Sequence, residues 1–166
     1  MAIIQKPLKN YDFADVNAVV SLPVGIPGVA QFAAGFTANI EGYADGTGIS
    51  IAKQAAGFTF QVGNDGEPLR SRSNNEHYNV TLTLMQSSDS NDLLSALHNA
   101  DLQFGLGVFD FAIRDLSGRT TFDARSCFIM QNPDIEFARE GTTREWTIIC
   151  PSVLVFTGGN AQAGLI

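Results

Sequence analysis

Hydrophobic residues recur at every second position through much of this chain, the spacing of half-buried β-strands. Val16, Ala18, Val20 and Leu22 share one face of a first strand, which Pro23 ends. Residues 25–28, Gly-Ile-Pro-Gly, read as a turn. Phe32, Phe36 and Ile40 follow among small residues, with a second strand expected over 36–40 that enters the glycine-rich stretch 42–48. Residues 49–53 and 58–62 read as short strands, the second with Phe58, Phe60 and Val62 on one side. Tyr78, Val80, Leu82 and Leu84 then alternate with Asn79, Thr81 and Thr83, so one face can be buried while the other stays polar.

Between those strands, residues 63–76 carry no apolar periodicity and read as one long connection, a length that marks a functional segment more often than a plain connector. After 78–85 the period changes from two to that of a helix. Ser88 or Ser90 can cap it, Asp89 and Asp92 suit the positive end of its dipole, and Leu93, Leu94 and Leu97 form one stripe that must pack on the sheet. Its end is expected near Ala100. Past Gly105 and Gly107, residues 108–114 alternate with Phe109, Phe111 and Ile113 on one face. A turn at 115–118 leads to 120–130, with Phe122, Ala124, Phe128 and Met130 expected on a common face and Pro133 closing the strand. Residues 135–139, a turn at 141–143 and residues 144–156 predict a final antiparallel hairpin, with Trp146, Ile148 and Cys150 facing the core. Pro151 should make that last run bulge or change sheets. The tally is about nine strands and one helix. It predicts a mainly β chain, an antiparallel β-sandwich or barrel with one α-helix packed on it and the long loop 63–76 left for assembly. Twelve Phe residues are expected to supply much of the core.

Composition narrows what such a fold can do. At 166 residues the chain fits a single domain, with residues 1–10 as a flexible or docking N-terminal arm and 11–166 as the domain itself. No apolar run is long enough to span a membrane and residues 1–10 contain no signal region, which predicts a protein made and used without secretion or membrane insertion. The formal charge of −7 argues against holding DNA by neutralising phosphates. It does not argue against surrounding DNA. Charged residues make up only 16% of the chain, below the roughly 25% usual for soluble domains, which points to surface covered by other subunits.

Catalytic chemistry finds no foothold. Cys127 and Cys150 lack the spacing of a metal cluster and read as buried free thiols. His77 precedes a strand and His98 lies on the helix, each without an evident acidic or thiol partner and so expected to be satisfied or solvated. Asp110, Asp123, Asp134 and Glu136 invite a hydrolase reading, but Arg114, Arg125 and Arg139 nearby fit ordinary cross-strand ion pairs equally well. Asn79-Val80-Thr81 matches a glycosylation pattern that has no meaning without secretion, and Gly46-Thr47-Gly48 and Gly105-Leu106-Gly107 are turns and not nucleotide loops. No catalytic residue, metal or cofactor is expected. What remains is assembly: Arg70, Arg72, Asn74, Asn75 and Glu76 concentrate hydrogen-bonding capacity in a segment with no core to join.

A resemblance gives that reading a direction. The ordered string Gly63-Asn64-Asp65-Gly66, Arg70-Ser71-Arg72-Ser73-Asn74, Val80-Thr81-Leu82-Thr83-Leu84-Met85-Gln86-Ser87-Ser88 and Ser90-Asn91-Asp92-Leu93-Leu94-Ser95 resembles the tail tube proteins of contractile-tailed bacteriophages. It is densest over 63–97 and looser over 11–24 and 134–159. The resemblance implies a virion protein, assembled in the host cytoplasm, that forms hexameric rings stacked into a hollow tube. It further implies a passive conduit, driven through the envelope when a surrounding sheath contracts and carrying double-stranded DNA without specific binding. Its partners would be its own copies and the sheath, baseplate and tail-terminator proteins. On this reading Arg70, Arg72, Asn74, Asn75 and Glu76 are inter-ring contacts, and Asp110, Asp123, Asp134 and Glu136 face the lumen. Alternatives are the tube of a contractile bacteriocin or type VI secretion system, or a small β-barrel that binds a ligand in its mouth.

Overall fold

Residues 8–26 and 33–160 are described by the computed structural model, so most of the arm 1–10, half of the turn 25–28, and Phe32 lie outside them. A 3-10 turn at Phe13–Asp15 opens the fold, its first N–H groups held by Asp12, whose carboxylate accepts from the Ala14 amide at 2.9 Å. Strands β1 (Val16–Leu22), β2 (Phe36–Asn39), β3 (Ile49–Lys53), β4 (Phe58–Val62), β5 (Pro68–Arg72) and β6 (Tyr78–Met85) precede helix α1 (Ser90–Phe104). Strands β7 (Phe109–Asp115), β8 (Thr121–Ile129), β9 (Thr143–Cys150) and β10 (Ser152–Phe156) follow.

The main sheet runs β2-β1-β7-β8-β9-β6-β3, with β10 beside β8, and every pairing is antiparallel. Alternation puts Val20, Leu82, Phe111, Phe122, Trp146 and their same-face neighbours into one buried cluster, which Leu94, Leu97 and Ala100 of α1 join. Residues 40–44 close the curved sheet on itself. The Ile40 amide donates to the Ala18 carbonyl on β1, whereas the Ala44 amide donates to the Thr83 carbonyl on β6 and Tyr43 bridges Leu84. The chain is thus mainly β and antiparallel with one helix, as the alternation predicts.

Four local expectations are corrected. The stretch 63–76 is not one loop: β5 pairs with β4 from Val62↔Pro68 to Phe58↔Arg72, making a separate two-stranded hairpin with a turn at 63–67. Both faces of that hairpin meet solvent, so no burial pattern was written into β5. Helix α1 passes Ala100 and ends at Phe104, where Gly105 at φ 67° closes it in the left-handed conformation that glycine adopts without strain. Its last turn leaves Leu102 and Phe104 exposed, so the apolar stripe stops before the helix does.

On β8, register passes from Phe111↔Ala124 to Phe109↔Cys127, inserting one extra residue around Ser126 at φ 57°. The bulge reverses the parity that the sequence implied. Cys127 and Ile129 go inside, Phe128 is half-buried and Met130 is exposed. Finally, residues 135–139 form no strand, because β9 pairs along its whole length with β6 instead. The Phe residues divide likewise: Phe109, Phe111 and Phe122 are core, while Phe58, Phe60, Phe104, Phe137 and Phe156 are exposed. At Pro151 the run breaks into two strands that stay in one sheet and keep one register against β8. β9 pairs with β6 and with the end of β8, and beyond the proline β10 pairs with the start of β8.

Candidate functional site: a projecting hairpin, outer-face carboxylates and a polar cleft

Of the assembly residues expected from sequence, Arg70 and Arg72 stand on strand β5 of hairpin β4–β5, while Asn74, Asn75 and Glu76 lie in the irregular segment that follows it. Phe58, Phe60, Val62 and Leu69 are all more than half exposed, so the hairpin offers apolar area that its own chain does not cover. Arg70 lies over the Phe58 ring at 4.7 Å to the centroid, a stacking that keeps its charge outward. Arg72 donates to Glu76 at 3.1 Å, an exposed pair of little energetic weight. Asn75 is folded into its own turn, accepting from His77 N–H and donating its backbone N–H to Ser73 Oγ. Of the five assembly candidates, Arg70 and Asn74 thus retain the most unspent polar capacity.

The four carboxylates separate into two places. Asp110 of β7 and Asp123 of β8 line a shallow groove of about 580 Å³ on the outer face of the sheet, with Val19, Ser21, Arg125 and Leu154. Arg114 holds Asp123 by two bonds of 2.7 and 2.9 Å, and Asp110 accepts from the bulge amide of Ser126 at 3.3 Å. Asp134 and Glu136 instead line a polar recess of about 290 Å³ with Gln131, Glu145 and Thr147. Of the three expected arginine partners, Arg114 alone forms an ion pair among the described residues.

Side-chain chemistry is sparse. No group of three His, Cys, Asp or Glu residues able to hold a metal occurs among the described residues. His77 Nδ1 lies 3.1 Å from the Pro151 carbonyl. His98 is buried and its Nδ1 has no hydrogen-bond partner among the described residues, against the expectation that it would be satisfied or solvated. The Tyr43 hydroxyl is also buried and without a hydrogen-bond partner among the described residues, and burial, with Glu41 nearby, pushes its pKa up. Cys127 and Cys150 face each other across β8 and β9 with Sγ atoms 3.3 Å apart, both free and fully buried. Their mutual hydrogen bond and burial push the Cys127 thiol far up.

Sequence reasoning missed Arg144. It shares the inward parity of Trp146, Ile148 and Cys150 on β9, and that parity was the available signal. Its guanidinium donates to Thr142 Oγ1 at 2.8 Å, the Thr143 carbonyl at 3.2 Å and the Glu136 carbonyl at 3.4 Å, pinning residues 136–142 against the sheet. Trp146 beside it is buried as expected and donates its indole N–H to Asn91 Oδ1 of α1 at 2.9 Å.

The model of a family described as bacteriophage PhiTE tail tube protein matches residues 8–158. Structural protein ORF10 of Pseudomonas phage KPP10 is 30% identical over 132 residues, spanning 78% of this chain and 76% of that protein. Among solved structures, the tube-terminating cap of the anti-feeding prophage is 14% identical with a TM-score of 0.47, covering 95% of each chain. A chain of the sheath-tube complex of the extracellular contractile injection system PVC is also 14% identical, with a TM-score of 0.45 over 84% of this chain and 87% of that one.

Proposed function

The chain belongs to the bacteriophage PhiTE tail tube protein family and is a structural protein of the phage tail, and on that premise we propose that its copies close into hexameric rings stacked as a hollow tube. Residues 11–166 act as one tube domain, and residues 1–10 as a flexible or docking arm. The observation that carries this is hairpin β4–β5. It projects Phe58, Phe60, Val62 and Leu69 into solvent, an arrangement that a monomer leaves uncovered and a neighbouring copy can bury. Strands β3 and β10 are each paired on one side only among the described residues, which supplies edges for a sheet continued between subunits.

In this role the protein is passive and needs no catalytic centre. The tube is assembled in the host cytoplasm, is enclosed by a contractile sheath between baseplate and tail terminator, and conducts double-stranded DNA. Arg70, Arg72, Asn74, Asn75 and Glu76 contact the next ring. Asp110, Asp123, Asp134 and Glu136 face the lumen, where carboxylates offer phosphate no cation to bind. A ligand-carrying barrel is disfavoured by an interior already filled by Trp146, Phe109, Phe111 and Phe122. Gel filtration of the purified chain separates the two readings. A tube subunit elutes as rings or polymers, and elution as a single subunit at every concentration would reject the proposal.

A further inference from the structure

The buried guanidinium of Arg144 has no carboxylate partner among the described residues. Only 9% of the residue is exposed, yet the ion pairs among the described residues lie elsewhere, at Arg72 with Glu76 and Arg114 with Asp123. Glu136 offers Arg144 its backbone carbonyl, while its side chain lines the separate recess with Asp134 and Glu145. A guanidinium has five N–H donors, and three are engaged here. Nε–H and the second Nη2–H have no partner among the described residues. The Phe137 ring centroid lies 6.0 Å from the guanidinium carbon, but neither an aromatic face nor carbonyls neutralise a largely buried cation, so a partner anion would complete its surroundings.

Arg144 lines a cleft of about 230 Å³ between α1 and residues 132–135, together with Gln86, Asn91, Ser95, Asn99 and Asn132. No acidic residue lines it, in a chain of net charge −7. Asn91 is committed to Trp146 and to the Met85 carbonyl, and Gln86 accepts from Thr142, but Ser95, Asn99 and Asn132 make no side-chain hydrogen bond among the described residues. Pro133, Ile135 and Trp146 add apolar wall. Ile135 of that wall is 66% exposed, which leaves the cleft accessible from solvent.

We propose that this cleft is a carboxylate-binding site, in which Arg144 supplies the charge and Ser95, Asn99 and Asn132 the surrounding hydrogen bonds. A planar carboxylate is the anion best suited to accept from the guanidinium donors that remain. The carboxylate can be borne by an acidic side chain of a neighbouring copy, which rests on the assembly proposed above, or by a small free acid, which does not.

Trp146 is the single tryptophan of the chain and lines the cleft, so its emission reports occupancy. The unassembled chain is titrated with sodium acetate and, at matched ionic strength, with sodium chloride. A saturable change with acetate alone is expected, weakened by about tenfold or more in Arg144→Gln, which loses the charge-assisted bonds. Ser95→Glu, which puts a tethered carboxylate in the cleft without touching the backbone bonds of Arg144, is expected to abolish it even if Arg144→Gln fails to fold. No response, an equal response to chloride, or an unchanged response in Ser95→Glu would overturn the site. Tubes or rings tell the sources apart. Emission already at the acetate-saturated value, with no further response, assigns the carboxylate to a neighbouring copy, whereas an acetate response like that of the free chain assigns it to a small acid. Because the first titration needs no assembly, the site and the tube can fail separately.

Discussion

Trp146 anchors the core where β9 meets α1. It is 1% exposed, and its indole N–H satisfies Asn91, which also caps the Met85 carbonyl. Trp146→Ala should cost about 3–5 kcal/mol in urea unfolding of the unassembled chain, as a large core truncation. Trp146→Phe should cost less, roughly 1–3 kcal/mol, because it keeps the ring and strands the Asn91 carbonyl. Cys127 and Cys150 should be unreactive in the native chain, since both are fully buried and the raised pKa of Cys127 leaves it no thiolate at neutral pH. A thiol reagent at neutral pH should count no cysteine in the native chain and two after denaturation, and rapid native labelling would place them at the surface. The burial of Trp146, Ile148 and Cys150 was legible because β9 keeps strict alternation. Phe128 and Met130 were misread because one bulged residue reverses every position after it. Ser126 sits at that bulge with φ 57°, so Ser126→Val should destabilise by about 1–2 kcal/mol while Ser126→Gly is tolerated.

Among the elements, strands with one buried face could be read and elements without one could not. β1, β6 and β7 alternate between core and solvent, and their expected and observed ranges nearly coincide. β5 buries nothing, so Pro-Leu-Arg-Ser-Arg gave no sign of a strand; its partner β4 gave a correct strand whose apolar face does not meet the core. The same physics explains the overlooked last turn of α1. It also directs the test of the hairpin, since an element outside the core can change assembly without changing folding. Reversing both charges with Arg70→Glu and Arg72→Glu removes one exposed ion pair and one cation–π contact, together worth about 1–2 kcal/mol at most. The double variant should keep its melting temperature within a few degrees and lose ring stacking in sedimentation. Normal polymers with a collapsed melting temperature would make the hairpin part of the fold.

For the whole molecule, the sequence conveyed a mainly β, antiparallel chain with one helix, and its ordered motifs led to the tail tube family. It could not place the carboxylates, because all four read as strand residues whereas only Asp110 and Asp123 stand on strands and Asp134 and Glu136 lie between β8 and β9. The structure divides Asp110 and Asp123 from Asp134 and Glu136, so each pair can be tested alone. Asp134→Lys with Glu136→Lys avoids the Arg114 ion pair and should leave assembly intact while making DNA retention stronger and more salt-dependent. Unchanged retention would take these two residues out of the lumen. Above all these stands the claim that the chain builds a tube by covering its own hairpin. Cryo-electron microscopy of the purified protein tests it most directly: we expect hollow tubes of stacked rings with β4–β5 buried between copies, and isolated subunits at every concentration, or tubes with the hairpin free in solvent, would contradict it.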